Sequence, residues 1–65
     1  MIQLNNRPME HEPGMTIKSL IRKMKFTHPM LIVRINGVLV EEALYADTPV
    51  QDGDDVKIIH PIAGG

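Results

Sequence analysis

Apolar and polar positions change period several times along the chain, and each change marks an element. Ile2-Gln3-Leu4-Asn5 alternates with the period of a half-buried strand. Asn5-Asn6-Arg7-Pro8 is a turn signal, and Met9 to Glu12 is the expected second strand of a hairpin, broken by Pro13-Gly14. The period then becomes helical. Ile17, Leu20, Ile21 and Met24 stand at i, i+3, i+4 and i+7 as one apolar stripe, with Lys18, Arg22, Lys23 and Lys25 off it. Thr16 is the expected N-cap, because its hydroxyl can accept from the unpaired amides of the first turn. Met15 and Leu20 have the spacing of a hydrophobic staple across that cap. The helix is expected to stop before Pro29, since the residue preceding proline is pushed out of the α region.

From Met30 to Ile35 every position except Arg34 is apolar, which predicts a strand inside a sheet. Asn36-Gly37 is a strong hairpin signal, because both residues tolerate positive φ, and Val38-Leu39-Val40 is the returning strand. Glu41 to Thr48 is polar around Ala43, Leu44 and Tyr45 and fits one short helical turn. Asp52-Gly53-Asp54-Asp55 is a tight acidic turn, and Val56 to Ile59 is the last strand, ended by Pro61. One amphipathic helix covering one face of a mixed sheet of about five strands is an α+β domain. A β-grasp arrangement fits best, with the first and last strands side by side in the middle. If Arg34 marks the outward face of its strand, Leu31, Val33 and Ile35 point inward while Met30 and Ile32 point out. The same alternation turns Val56 and Ile58 in, and Lys57 and Ile59 out. Outward Ile32 and Ile59, joined by Met30, form a candidate docking patch.

Composition narrows the function. A chain of 65 residues buries only a thin core and has little wall for a deep pocket. It suits a module on which a larger protein acts better than a self-contained enzyme. Seven basic and eight acidic residues give a net charge of −1, with no pull toward nucleic acid or an anionic membrane. Cysteine is absent, which excludes a disulfide framework, a thiolate metal site and a thiol that could carry a persulfide. No apolar run reaches membrane-spanning length, and the expected compartment is the cytoplasm. His11, His28 and His60 lie in three separate segments without ligand spacing, and the acidic turn lacks the closing Glu of a calcium loop. Neither a metal nor a bound cofactor is expected. No nucleophile-base pair and no phosphate-binding glycine loop is present.

The unusual chemistry lies at the end. Residues 1–60 read as the folded body and 61–65 as a flexible tail, Pro61-Ile62-Ala63-Gly64-Gly65. Pro61 has no N–H with which to continue a ladder. Side chains then shrink to nothing, so the tail can enter a slot that a bulkier end could not. A carboxylate is a poor electrophile and must become a mixed anhydride before attack. A terminal Gly65 without Cβ obstructs the nucleophile least, and Gly64 lets the backbone adopt the angles a partner's site demands. If that nucleophile is sulfur, the product is a thiocarboxylate. A ubiquitin-like modifier joined to lysine through Gly65, and an interaction module without tail chemistry, stay open beside this carrier reading.

The Met-Ile-Gln-Leu-Asn start, Pro13-Gly14 followed by Thr16-Ile17, Ile35-Asn36-Gly37, Asp52-Gly53-Asp54 and the Ile62-Ala63-Gly64-Gly65 end together carry a resemblance. Over essentially all 65 residues the chain resembles the thiamine-biosynthesis sulfur carrier proteins (ThiS type), which are ubiquitin-like β-grasp proteins. The resemblance implies that an adenylating enzyme related to ubiquitin activators uses ATP to convert the Gly65 carboxylate into an acyl-adenylate. It implies that sulfur from a cysteine desulfurase, directly or through a relay protein, then gives the thiocarboxylate, and that thiazole synthase accepts it. Sulfur transfer to molybdopterin or to tRNA is the alternative route. Pro61, Ile62, Ala63, Gly64, Ile59 and Ile32 are the expected partner-binding residues.

Overall fold

A computed structural model describes residues 1–26 and 30–59. The expectations that rest on His28, Pro29, His60 and 61–65 lie outside the described residues. The chain forms strands β1 (Ile2–Leu4) and β2 (Arg7–Met9), helix α1 (Ile17–Lys23), and strands β3 (Ile32–Ile35) and β4 (Val38–Val40). A 3-10 helix (Glu42–Asp47) and β5 (Asp55–Ile59) follow. The strands make one mixed sheet in the order β2-β1-β5-β3-β4, with β1 parallel to β5 and the other pairs antiparallel. First and last strands are thus neighbours, and the fold is the α+β grasp that the pattern predicted.

The first hairpin is tighter than expected. Asn5 and Asn6 both have positive φ, the signature of a two-residue type I′ turn, so the return begins at Arg7. The strand expected at Met9 to Glu12 is therefore β2 at Arg7–Met9, with Leu4 opposite Arg7 and Gln3 opposite Pro8. A proline is admissible there because β2 is an edge and position 8 faces away from β1's hydrogen bonds. Glu12-Pro13-Gly14-Met15 closes a turn through the Met15 N–H to the Glu12 C=O (3.1 Å), with Gly14 at φ +78°. Asn36 and Gly37 repeat the type I′ pattern between β3 and β4.

Thr16 caps α1 as expected, accepting from the Ser19 N–H (3.1 Å), while the Ser19 hydroxyl accepts from the Thr16 N–H (2.9 Å). The reciprocal pair is a capping box in which serine does the work usually given to Glu or Gln. Backbone bonds from Ile17 N–H to Thr48 C=O and from Val50 N–H to Met15 C=O tie this cap to the segment before β5. The helix ends well before Pro29. Lys25 takes φ +59°, and the bonds from Lys25 N–H to Arg22 C=O and from Phe26 N–H to Ile21 C=O form a Schellman stop.

Ile17 and Leu20 of α1 meet Ile2, Leu4, Val33, Val56 and Ile58 from the sheet, with Met15, Val40 and Val50 closing the cluster. Both members of the staple, Met15 and Leu20, are buried. Tyr45 packs on the same core from the 3-10 helix, and its O–H donates to the Leu31 C=O (3.4 Å). Burial, and then the charge of Glu42, push its phenol above the ordinary tyrosine range. No helix of the described residues is long and apolar enough to cross a membrane.

Candidate functional site

The strand that leads to the diglycine end is β5, and it lies at the centre of the sheet. On one side β3 runs antiparallel to it, with Ile32 opposite Ile59 and Val33 opposite Ile58. On the other side β1 is short and its parallel pairing ends at Leu4 opposite Val56. Asn5 takes over from there. Its N–H donates to the Val56 C=O (2.9 Å), its side-chain Nδ2 donates to the Ile58 C=O (3.0 Å), and its Oδ1 accepts from the Ile58 N–H (2.8 Å). A side-chain amide here takes the place of the next peptide of β1.

Asn36 makes the corresponding attachment at the start of β5. Its N–H donates to the Asp55 C=O (2.8 Å), its Oδ1 accepts from the Asp55 N–H (2.9 Å), and its Nδ2 donates to Asp54 Oδ1 (3.1 Å). Each hairpin asparagine adopts positive φ for its turn and then spends its amide on the neighbouring strand. The central strand is held at both ends, with the last clamp one residue before Ile59.

Alternation sends the two faces of the sheet in opposite directions, as the position of Arg34 predicted. Val33, Val56 and Ile58 are buried, and Leu31 and Ile35 pack partly against the core. Ile32 (38% exposed) and Ile59 (48%) lie side by side on the outer face. The next row on that face is Lys57, Arg34 and Leu39, where Arg34 stands opposite Lys57 on one side and Leu39 on the other. Lys57 Nζ donates to Asn6 Oδ1 (2.6 Å) and to Asp55 Oδ1 (3.3 Å). Met30, before β3, is also exposed. The result is a small apolar strip on β5 and β3 bordered by basic groups.

Of the expected site residues, the fold thus brings Ile32 and Ile59 together as direct cross-strand partners. Pro61, Ile62, Ala63, Gly64 and Gly65 lie outside the described residues. His11 serves the scaffold, with Nε2 2.7 Å from the Val50 C=O. Among the described residues no three His, Cys, Asp or Glu side chains converge as a metal site would require. Asp52 forms an ion pair with the Met1 ammonium, and that hydrogen bond, followed by the ammonium's charge, holds its carboxyl below the usual range. The clamping role of Asn5 was missed in the sequence, where the residue reads only as a turn former.

Comparison with known proteins gives four further findings. The model of the ThiS family matches residues 2–65. The uncharacterized protein ycf40 of Porphyra purpurea is 30% identical over 64 residues, covering 98% of this chain and 90% of that protein. A thiazole synthase of Magnetococcus marinus is also 30% identical over 64 residues, but this chain spans only 20% of its length. Among solved structures, the crystal structure of a thiamine biosynthesis protein (ThiS) from Geobacter metallireducens superposes with a TM-score of 0.82 at 24% identity, covering 98% of this chain and 97% of that one.

Proposed function

The chain belongs to the ThiS family, and from that premise we propose that it is a sulfur carrier for thiazole formation in thiamine biosynthesis, with the Gly65 carboxylate as the group that is activated and loaded. The observation that carries the reading is the extent of the family match, which runs to residue 65 and so includes Gly64-Gly65. An adenylating partner uses ATP to join AMP to the carboxylate and releases pyrophosphate. The terminal sulfur of a persulfide, carried by a cysteine desulfurase or a relay protein, then attacks the acyl carbon and AMP leaves. A thiol reductant cleaves the S–S bond of the resulting acyl disulfide, is itself oxidised to a disulfide, and frees the thiocarboxylate. The chain contributes no acid, base or metal to any of these steps. It is the substrate of enzymes larger than itself and needs no cofactor of its own.

The folded body contributes presentation. Ile59 and Ile32 offer an apolar strip on the outer face of the two strands nearest the end of β5. This strip seats the activating enzyme, with Ile62 as a second anchor and Pro61, Ala63 and Gly64 in the slot. Exposed, adjacent apolar side chains of this kind are suited to a docking contact. Thiazole synthase is the acceptor of the sulfur. The M. marinus thiazole synthase supports that choice, because a segment related to nearly all of this chain makes up a fifth of its length.

Intact-mass measurement of the protein isolated from cells tests the reading. A fraction of molecules heavier by the exchange of one oxygen for sulfur, located at Gly65 by fragmentation, is the expected result. Branched conjugates through Gly65 identify a modifier instead, and an unaltered terminus in sulfur-replete, thiamine-starved cells leaves only an interaction module.

A further inference from the structure

The two edges of the sheet differ in a way that the carrier role does not require. In a hairpin closed by a two-residue turn, the residues flanking the turn exchange backbone hydrogen bonds and the next pair does not. At the β2 edge the flanking pair is Leu4 and Arg7, so the outward-facing backbone of that strand belongs to Pro8. Proline has no N–H, and this edge cannot donate at its middle position. At the β4 edge the flanking pair is Ile35 and Val38, so Val38 and Val40 bond to β3 and the outward-facing backbone belongs to Leu39. Among the described residues, neither the N–H nor the C=O of Leu39 has a partner. No proline, charge or bulge interrupts Val38-Leu39-Val40, and the Val38 and Leu39 side chains are 67% and 59% exposed.

We infer that β4 pairs antiparallel with β4 of a second copy of this chain, about a two-fold axis through Leu39. The occupant follows from self-complementarity. Only a register that sets Leu39 opposite Leu39 lets both free N–H groups meet both free C=O groups, giving two hydrogen bonds across the axis. Val38 of one copy then faces Val40 of the other, so apolar side chains meet on both faces. Glu41 falls opposite Gly37, so no like charges oppose each other. The two Arg34 side chains stand three strand spacings apart, about 14 Å, which exceeds the ~8 Å screening length at physiological salt. One edge of three residues buries far less than the ~1,000 Å² of a stable interface, so the dimer is weak and forms at about 0.1–1 mM. β5 and β3 remain uncovered, and the outer faces of the two copies join into one ten-stranded surface. The inference is independent of the sulfur-carrier reading.

Sedimentation of the full chain from about 20 μM to 2 mM, paired with amide exchange at Leu39, tests this pairing. The expected result is a shift from monomer toward dimer across that range, with exchange of the Leu39 amide slowing as the dimer fills. Leu39→Lys places a charge on the edge without touching the β3 ladder and should abolish both changes. A chain that stays monomeric at 2 mM with concentration-independent Leu39 exchange overturns the inference. So does association that persists undiminished in a folded Leu39→Lys protein. A Leu39→Lys chain that fails to fold leaves the native chain's own concentration series to decide.

Discussion

Asparagine carries more of this molecule than its usual place in turns suggests. Asn5 must hold a left-handed backbone for the first hairpin and also supply the amide that completes the hydrogen bonds of Ile58. Glycine can adopt the same φ but has no amide, so Asn5→Gly separates the two roles. Two partly buried hydrogen bonds are lost and the β5 backbone at Ile58 is left to water. The expected cost is about 1–2 kcal/mol, read as a fall in thermal midpoint of about 4–8 °C per kcal/mol for a domain of this size. Exchange of the Ile58 amide should accelerate far more than that of Val33, which sits in an intact ladder. Equal acceleration at both positions means that the amide matters only to global stability and not to the end of β5. This role could not be read from the sequence: the first and last strands were expected side by side, but the clamp depends on the register between them, which sets Leu4 opposite Val56 and so brings the Asn5 amide to Ile58.

Elements were legible where a local cause fixes them. The Thr16 cap, the Met15–Leu20 staple and the Ile17, Leu20 and Ile21 part of the α1 stripe need nothing beyond neighbouring residues and appear as the sequence predicts, whereas Met24, the expected last member of the stripe, is the C-cap and is exposed. Asn36-Gly37 likewise fixes the second hairpin. The ends failed where the chain uses an uncommon residue. Asn5-Asn6 makes a two-residue turn where four turn-prone residues stand in a row, and Lys25 makes the helix stop that glycine usually makes. An L residue in that left-handed position carries about 1–2 kcal/mol of strain. Part of that is recovered in the unfolded state, which glycine makes more favourable by ~0.4–1 kcal/mol. Lys25→Gly should therefore stabilise the domain by about 0.5–1 kcal/mol in chemical denaturation, with an unchanged m-value. A destabilised variant means that the Lys25 side chain supports the stop by some contact beyond its backbone.

At the scale of the molecule the question is whether the outer face and the terminus act as one site. The alternation around Arg34 was enough to place Ile32 and Ile59 outward, and the register sets them side by side. Their role as a dock makes a demand that their role in the sheet does not. Ile58→Glu would bury a charge in the core and unfold the chain, but Ile59 is half-exposed. Ile59→Glu forfeits a cross-strand contact with Ile32 valued at about 0.2–1 kcal/mol, so the domain stays folded. A charge at the centre of an apolar docking contact is expected to cost the encounter more, about 1.4–2.7 kcal/mol, or 10–100-fold in kcat/KM for adenylation of Gly65. Leu44→Glu is the matched comparison. It introduces the same charge at an equally exposed leucine of the 3-10 helix, which packs against α1 and not on the outer face. Pyrophosphate release by the activating enzyme should fall for Ile59→Glu and stay at the native rate for Leu44→Glu. If both variants are adenylated like the native chain, the enzyme reads the tail alone and the outer strip plays no part in activation.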